Sequence, residues 1–345
     1  MEKYKLYNID LYENFNKYLV FFDQISEDMY DIKETLPLHK LKEFENLIAE
    51  KENKILYLDQ ESKYLKTFDN YDNLFNNLVP ATIDILAYKA FVELENNESI
   101  LSNIKSFKPK NKKAKKVVYD KTNNVTGRLV VKKGPKILTL PSRYRSILKS
   151  KHDKGAIYSI DFSSLEPRIT AKLSGNNTNE DIYLNISEML SFNADRSVIK
   201  KAVISSIYGA KYTSLEGLSL ERSKEIFEKI NEYFDFKKIL ELSSNIDSLG
   251  IRRNYFGRPL WNLEEKRENV LINNYIQSTA VDISLKYFEE LISKCDLFDP
   301  LFVLHDALIV DIEDSNYENV HQIINHGYND PNLGYFPLKL EKFNI

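Results

Sequence analysis

Cysteine is almost missing from this sequence of 345 residues, in which Cys295 is the only one. A single cysteine excludes a disulfide framework or a thiolate metal cluster within the chain, which fits a reducing compartment. The sequence also lacks any apolar run near the roughly 20 residues that span a bilayer. Its first residues lack the apolar core of a secretory signal. We therefore expect a cytoplasmic protein with no membrane partner.

A strong overall charge is also lacking, but the charges that are present are segregated. The formal net charge is −3; residues 1–104 carry 20 acidic and 11 basic side chains, whereas residues 105–154 carry 17 basic and 2 acidic ones. A basic band on an otherwise acidic protein is the charge pattern of a surface that binds a phosphate backbone. The alternative is a solvated lysine-rich loop. The candidate DNA-binding lysines are Lys112, Lys113, Lys115 and Lys116.

The order of predicted elements indicates an α+β fold. Residues 1–104 contain no glycine, and their apolar spacing predicts helices, whereas prolines and glycines in residues 105–154 predict loops with short extended pieces. A buried strand is predicted to end at Asp161, and two apolar strands meet at His305-Asp306 as a hairpin. The helices predicted beyond Asp161 are Ser187–Tyr208, Leu220–Leu242 and Glu264–Lys294, the last as one long helix or two joined ones. Segregated helices and antiparallel strands are typical of the α+β class.

Three segments combine acidic, basic and aromatic side chains in a pattern that suits phosphoryl transfer. The first runs from Asp161 through Glu166 to Gly175, the second from Arg196 to Gly209, and the third is His305-Asp306. In this order they resemble motifs A, B and C of family A DNA polymerases. Two further blocks agree with the resemblance. Thr126-Gly-Arg128-Leu is similar to the family's TGRL segment, and Asn273 to Ile283 is similar to its N-x-x-x-Q-G-T-A-A-D-I segment.

The resemblance implies a right-hand fold of palm, fingers and thumb, with an antiparallel palm sheet and helical fingers and thumb. It assigns residues 1–119 to a helical, thumb-like lobe that ends in the basic segment. Residues 120–345 would form the palm and fingers, with the fingers at about 178–265. The implied function is template-directed DNA synthesis on primer-template DNA from dNTPs.

The chemistry explains why two distant aspartates are wanted. Phosphoryl transfer requires neutralised charge and an in-line nucleophile, which two divalent ions about 4 Å apart can supply. Magnesium prefers hard oxygen ligands such as carboxylates. Asp161 and Asp306 are therefore the predicted catalytic residues and ligands of two Mg²⁺ ions. An isolated aspartate at a strand end has an alternative role as a turn or cap residue.

The second segment has its own physical basis, because its key residues recur every four positions. An α-helix places Arg196, Lys200, Ile204 and Tyr208 on one slowly drifting face. The two basic residues would meet the triphosphate, and the last two would lie against the incoming base and sugar. Gly209 is a natural position for the helix to end. The alternative is a solvated basic turn followed by core residues.

The resemblance assigns further contacts. Glu166 corresponds to the steric gate against a ribose 2′-hydroxyl. Arg128, Asn273 and Gln277 would reach minor-groove acceptors of the primer-template. His305 would contact primer phosphate or orient Asp306, with a buried core histidine as the alternative.

The sequence departs from the family pattern at five positions: Ala307 replaces a carboxylate, Ile204 an aromatic residue, Ser205 a glycine, Asn269 an arginine and Tyr183 a histidine. A catalytically silent DNA-binding or scaffold protein therefore remains a rival hypothesis. A single-subunit RNA polymerase is another, although Glu166 and the TGRL-like block argue against it. Only 160 residues precede Asp161, so we expect any proofreading to come from a separate exonuclease. A processivity protein is a further possible partner.

Overall fold

A computed structural model describes residues 63–176, 181–210, 212–247, 250–261, 263 and 266–343. Residues 1–62 of the predicted helical lobe lie outside the described residues. The division into residues 1–119 and 120–345, with fingers at about 178–265, stays a prediction.

Helices and short antiparallel sheets make up the described chain, which confirms the α+β class. The helices are α1 (Lys63–Asn77), α2 (Ile85–Leu94), α3 (Glu98–Lys105), α4 (Leu165–Ser174), α5 (Ile182–Glu188), α6 (Arg196–Ile207), α7 (Leu220–Tyr233), α8 (Phe236–Ser244), α9 (Glu268–Lys294) and α10 (Tyr317–Asn325). The strands are β1 (Thr82–Ile83), β2 (Val118–Asp120), β3 (Val130–Lys133), β4 (Leu148–Lys149), β5 (Gly155–Phe162), β6 (Arg252–Arg253), β7 (Pro259–Leu260), β8 (Asp299–Leu304), β9 (Ala307–Glu313), β10 (Tyr328–Asp330), β11 (Gly334–Phe336) and β12 (Leu338–Lys342). Short 3-10 helices span Ile137–Thr139, Ser142–Ile147 and Asp314–Asn316.

A four-stranded antiparallel sheet in the order β12-β5-β9-β8 lies at the centre. Successive side chains of a strand point to opposite faces. Ile160 and Phe162 therefore share one face, where the Phe162 ring lies 5.8 Å from the ring of Phe288 in α9. Asp161 points to the opposite face. The Phe162 ring of β5 thus packs against α9.

Helix α9 is the spine of the core. It spans 27 residues and is buried over most of its length, because α1, α4 and α8 pack around it. Phe162 of the central sheet also contacts it, at the rings of Tyr287 and Phe288. A helix that is apolar on several sides is stable only when it is enclosed in this way. None of the helices in the described part of the chain combines the length and the apolarity that a membrane span requires.

Two predicted helices are wrong in their extent. The predicted helix Ser187–Tyr208 divides into α5 and α6, because Ser191 donates from its backbone N–H and its hydroxyl to the carboxylate of Glu225 in α7, at 2.5 and 2.8 Å. The predicted helix Leu220–Leu242 divides into α7 and α8 at Asp235, whose carboxylate accepts the backbone N–H of Lys238 at 3.0 Å as an N-cap. Both breaks depend on polar side chains that an apolar pattern does not weigh.

Candidate active site

Asp161 and Asp306 meet at one end of the central sheet. Asp161 is the penultimate residue of β5, and Asp306 lies at the tip of the β8–β9 hairpin. The β5–β9 pairing places Asp161 opposite Ala307, directly beside Asp306. His305 turns the hairpin with a left-handed backbone of φ 56°, a conformation that histidine tolerates better than most residues. Strand pairing therefore joins two aspartates that are distant in the sequence.

The two carboxylates stand in an environment that disfavours their charge. Burial raises the pKa of Asp161 to about 7, and the charges of Asp306 and Glu341 add to this shift against the opposing effect of Lys200. Burial also raises the pKa of Asp306. Two close carboxylates with raised pKa values form a site that a cation would stabilise.

The donor set at this site fits magnesium. Among the described residues, no group of three or more His, Cys, Asp and Glu side chains is placed to hold a metal ion. The protein would therefore offer the two carboxylates of Asp161 and Asp306. Magnesium is usually held by one or two carboxylates together with water and substrate phosphates.

The aspartates open into a cleft of about 410 Å³ between the sheet, α6 and α9. Most of the residues predicted from the sequence line it: Arg128, Asp161, Glu166, Lys200, Ile204, Tyr208, Gln277, His305 and Asp306. Burial, followed by the charge of Arg128, lowers the pKa of His305. A neutral imidazole has one donor and one acceptor nitrogen. Contact with primer phosphate and orientation of Asp306 therefore both remain predictions for His305.

Helix α6 presents its four-residue repeat to the cleft at three of the four positions. Lys200, Ile204 and Tyr208 line the cleft, whereas Arg196 at the first turn does not. Arg196 donates from Nε to the carboxylate of Asp181 at 2.8 Å, and its guanidinium lies 4.7 Å from the ring centre of Tyr183. Gly209 follows with φ 89° and ends the helix, as the sequence predicts.

Glu166, Arg128 and Tyr208 form a contact across the cleft. Arg128 Nη2 lies 3.0 Å from Glu166 Oε1 and 3.4 Å from Tyr208 Oη. Burial raises the pKa of Glu166, while the charge of Arg128 opposes that shift. Arg128 thus joins the TGRL-like segment to Glu166 of the first motif and to Tyr208 of the second.

The remaining candidates lie at the edge of the cleft or outside it. Gln277 Nε2 donates to Asn273 Oδ1 at 2.8 Å, but Asn273 itself does not line the cleft. The lysines of the basic segment are exposed and are also not among the lining residues: Lys112, Lys113, Lys115 and Lys116. Lys116 Nζ donates to the Asn76 carbonyl at the end of α1, at 2.8 Å.

Comparison with known proteins agrees with this geometry. The model of the family described as DNA polymerase family A matches residues 21–339, which is most of the sequence. This chain belongs to DNA polymerase family A. Its fold is similar to the POL domain of Pol1 from M. smegmatis, solved in complex with DNA primer-template and dNTP, with a TM-score of 0.56 and 17% identity. The match covers 71% of this chain and 51% of that one, so this chain spans about half the length of its structural neighbour. No curated protein matches it.

The site also contains residues that sequence reasoning missed as candidates. Tyr183 lines the cleft, although the sequence marked it only as a replacement for histidine. On β12, Lys339 pairs directly with Asp161 and Glu341 with Ser159, so both side chains share the face of Asp161. The sequence contains little indication that Lys339 and Glu341 lie beside Asp161, because the register between strands so distant along the chain cannot be inferred from the sequence.

Proposed function

We propose that this chain is a DNA-directed DNA polymerase that adds deoxynucleotides from dNTPs to a primer 3′-hydroxyl by two-metal phosphoryl transfer. The observation that carries the proposal is the meeting of Asp161 and Asp306 in one cleft with Lys200. These two carboxylates would hold two Mg²⁺ ions. When bound, the ions would lower the pKa of the 3′-hydroxyl and neutralise charge on the triphosphate.

The side chains around the aspartates have roles that follow from their chemistry. Lys200 supplies positive charge to the triphosphate, and Arg196 joins it after leaving Asp181, an exposed ion pair of the kind that is easily broken. Ile204 and Tyr208 offer an apolar and an aromatic surface to the base and sugar. Glu166 occupies the space that a ribose 2′-hydroxyl needs, which favours deoxynucleotides.

The DNA would be held by residues at the edge of the cleft and beyond it. Arg128, Gln277 and Asn273 carry donors suited to the minor-groove acceptors that all correct base pairs share. His305 would contact primer phosphate or orient Asp306. The exposed lysines of the basic segment suit phosphates of the duplex. The M. smegmatis neighbour was solved with primer-template and dNTP, which supports the same partners here. Membership of a DNA polymerase family supports a cytoplasmic location.

A primer-extension assay with dNTPs or rNTPs tests the proposal. We expect extension with dNTPs, little with rNTPs, and none by Asp306→Ala. Asp153→Ala is the matched control, since Asp153 is exposed in the bend before β5, and it should extend normally. Preferential use of rNTPs would instead identify an RNA polymerase. Duplex binding without extension would identify a silent scaffold.

Two expectations about partners stay predictions. A separate chain is expected to supply proofreading, and incubation of the purified chain with a mismatched 3′ end checks this by the presence or absence of excision. A processivity protein would reveal itself by lengthening the products made in a single binding event.

A further inference from the structure

Arg258 is the largest side chain among those that are fully buried in the described chain, with 1% of its surface exposed. It pairs with Asp282 in α9, which is also 1% exposed, through Nε–Oδ2 at 3.1 Å and Nη2–Oδ1 at 2.7 Å. A buried ion pair adds little net stability compared with apolar packing of the same volume. Stability alone therefore does not account for this arginine.

The network around Asp282 fixes the guanidinium in one orientation. The Asp282 carboxylate accepts from Tyr64 Oη and Asn254 Nδ2, both at 2.7 Å, and from Tyr71 Oη at 3.3 Å. Tyr64 and Tyr71 belong to α1, and Asn254 belongs to the turn before β7. Because α1 and the turn before β7 both donate hydrogen bonds to Asp282 in α9, the Arg258 fork has little freedom to rotate.

The fixed guanidinium forms the surface on which Gly127 rests. Gly127 has φ 74°, and a methyl group on it would lie 2.3 Å from Arg258 Nη1 and 2.4 Å from Cζ. Arg258 Nη1 is buried, and within the described residues it has no hydrogen-bond partner. The contact is therefore one of close packing, in which glycine is required both for its backbone conformation and for its lack of a side chain.

The residue that follows Gly127 is Arg128, which bridges Glu166 and Tyr208 in the cleft. We infer that Arg258 is a positioning residue: its guanidinium, held by Asp282, seats Gly127 and thereby aims Arg128 at Glu166 and Tyr208. Thr126, which precedes Gly127, is buried and held by Asn124 Oδ1 at 3.0 Å. The loop is thus clamped on both sides of the glycine. The role of Arg128 at a primer terminus rests on the proposed function, but the packing of Gly127 against Arg258 does not.

Chemical labelling of Arg128 in the full chain tests the inference without requiring activity. Phenylglyoxal modifies accessible arginines, and mass spectrometry of peptides gives the rate at Arg128. Gly127→Ala should raise this rate about threefold, the factor expected when an ion pair of this exposure is lost. Arg258→Lys should do the same, because lysine keeps the charge opposite Asp282 but removes the planar surface. It also serves as the second variant if Gly127→Ala fails to fold.

Two control variants separate positioning from general destabilisation. Tyr71→Phe removes a hydrogen bond to the same Asp282 but leaves the Gly127 contact intact. Gly217→Ala introduces the same left-handed strain at φ 77° in open space. Both should leave the Arg128 rate unchanged. An unchanged rate in folded Gly127→Ala and Arg258→Lys, or an equal rise in the controls, would overturn the inference.

A double-mutant cycle then asks whether Gly127 acts through Arg128 in primer extension. If it does, Gly127→Ala combined with Arg128→Ala should be no slower than Arg128→Ala alone, to within about twofold. Losses that multiply would contradict the inference. A wild-type chain that fails to extend primers would refute the proposed function instead, and the labelling result would still decide the role of Arg258.

Discussion

At the scale of single residues, the site is characterised by two carboxylates, Asp161 and Asp306, whose charged forms the folded chain disfavours. Asp161 titrates near pH 7 with burial as the main cause, whereas an aspartate in the unfolded chain titrates near its ordinary value of about 4. The folded metal-free protein therefore binds more protons than the unfolded chain between these values. Its free energy of unfolding must fall as the pH rises through this window.

Asp161→Asn should accordingly stabilise the metal-free protein in a pH-dependent manner. Below about pH 4 the substitution should have little effect, because the aspartate is neutral in both states. The gain should grow up to about pH 7 and then stay constant at about 4 kcal/mol, since each unit of pKa shift corresponds to about 1.4 kcal/mol. Urea unfolding in the presence of a chelator measures it, with Asp153→Asn as the exposed control. A gain that is independent of pH would contradict the raised pKa of Asp161.

Lys200 and Lys201 offer a matched pair for the nucleotide site. Lys200 lines the cleft. Its neighbour Lys201 is on the exposed side of α6, where its Nζ lies 3.7 Å from Glu216 Oε2. Lys200→Ala should slow nucleotide incorporation about 100-fold, because it removes a charge aimed at the triphosphate, and leave duplex affinity nearly unchanged. Lys201→Ala should alter neither. Rapid-quench incorporation and fluorescence anisotropy measure the two quantities, and equal losses in both for Lys200→Ala would count against its assignment.

At the scale of elements, the end of α6 depends on a close approach between Gly209 and Asn269. Gly209 has φ 89°, and a methyl group on it would lie 2.5 Å from Asn269 Cβ. The approach ties the residue after Tyr208 to the start of α9. The helix that carries the proposed nucleotide-binding residues is therefore anchored to α9 at its end.

Substitution of two glycines separates this contact from backbone strain. Gly217→Ala should cost about 1 kcal/mol, the strain of a left-handed alanine, because nothing lies within 4 Å of the added methyl group. Gly209→Ala should cost a further 1–3 kcal/mol or so from the overlap with Asn269. Urea denaturation measures both variants. Equal losses would mean that Asn269 moves aside without cost.

The elements also indicate how far the sequence could predict the site. The strand end at Asp161 and the hairpin at His305-Asp306 followed from local patterns. The four-residue repeat of α6 followed in part, because three of its four residues line the cleft. The pairing of Arg196 with Asp181, and the placement of Lys339 and Glu341 beside Asp161, did not follow. Both depend on tertiary register and side-chain rotamers, which periodicity along one segment does not contain.

At the scale of the whole molecule, the basic segment of the sequence lies on the surface of the described chain. The basic segment presents exposed lysines from the end of α3 to β3. Asn111 and Lys112 form a tight turn with φ 52° and 63°, closed by hydrogen bonds between the backbones of Lys110 and Lys113 at 2.8 and 3.1 Å. The lysines are therefore held on ordered backbone, which argues against the alternative of a solvated, unstructured loop.

Neutralising this surface should change how duplex binding depends on salt. Each phosphate that a lysine neutralises contributes about 0.9 to the slope of log affinity against log salt. Replacing Lys112, Lys113, Lys115 and Lys116 by glutamine should thus lower the slope by up to about 3.6, and weaken binding similarly for all sequences. The control replaces four exposed lysines elsewhere, Lys89, Lys172, Lys224 and Lys237, which changes the net charge equally. If the two quadruple variants lose the same slope in anisotropy titrations, net charge alone explains the binding, and the basic segment is not a DNA-binding surface.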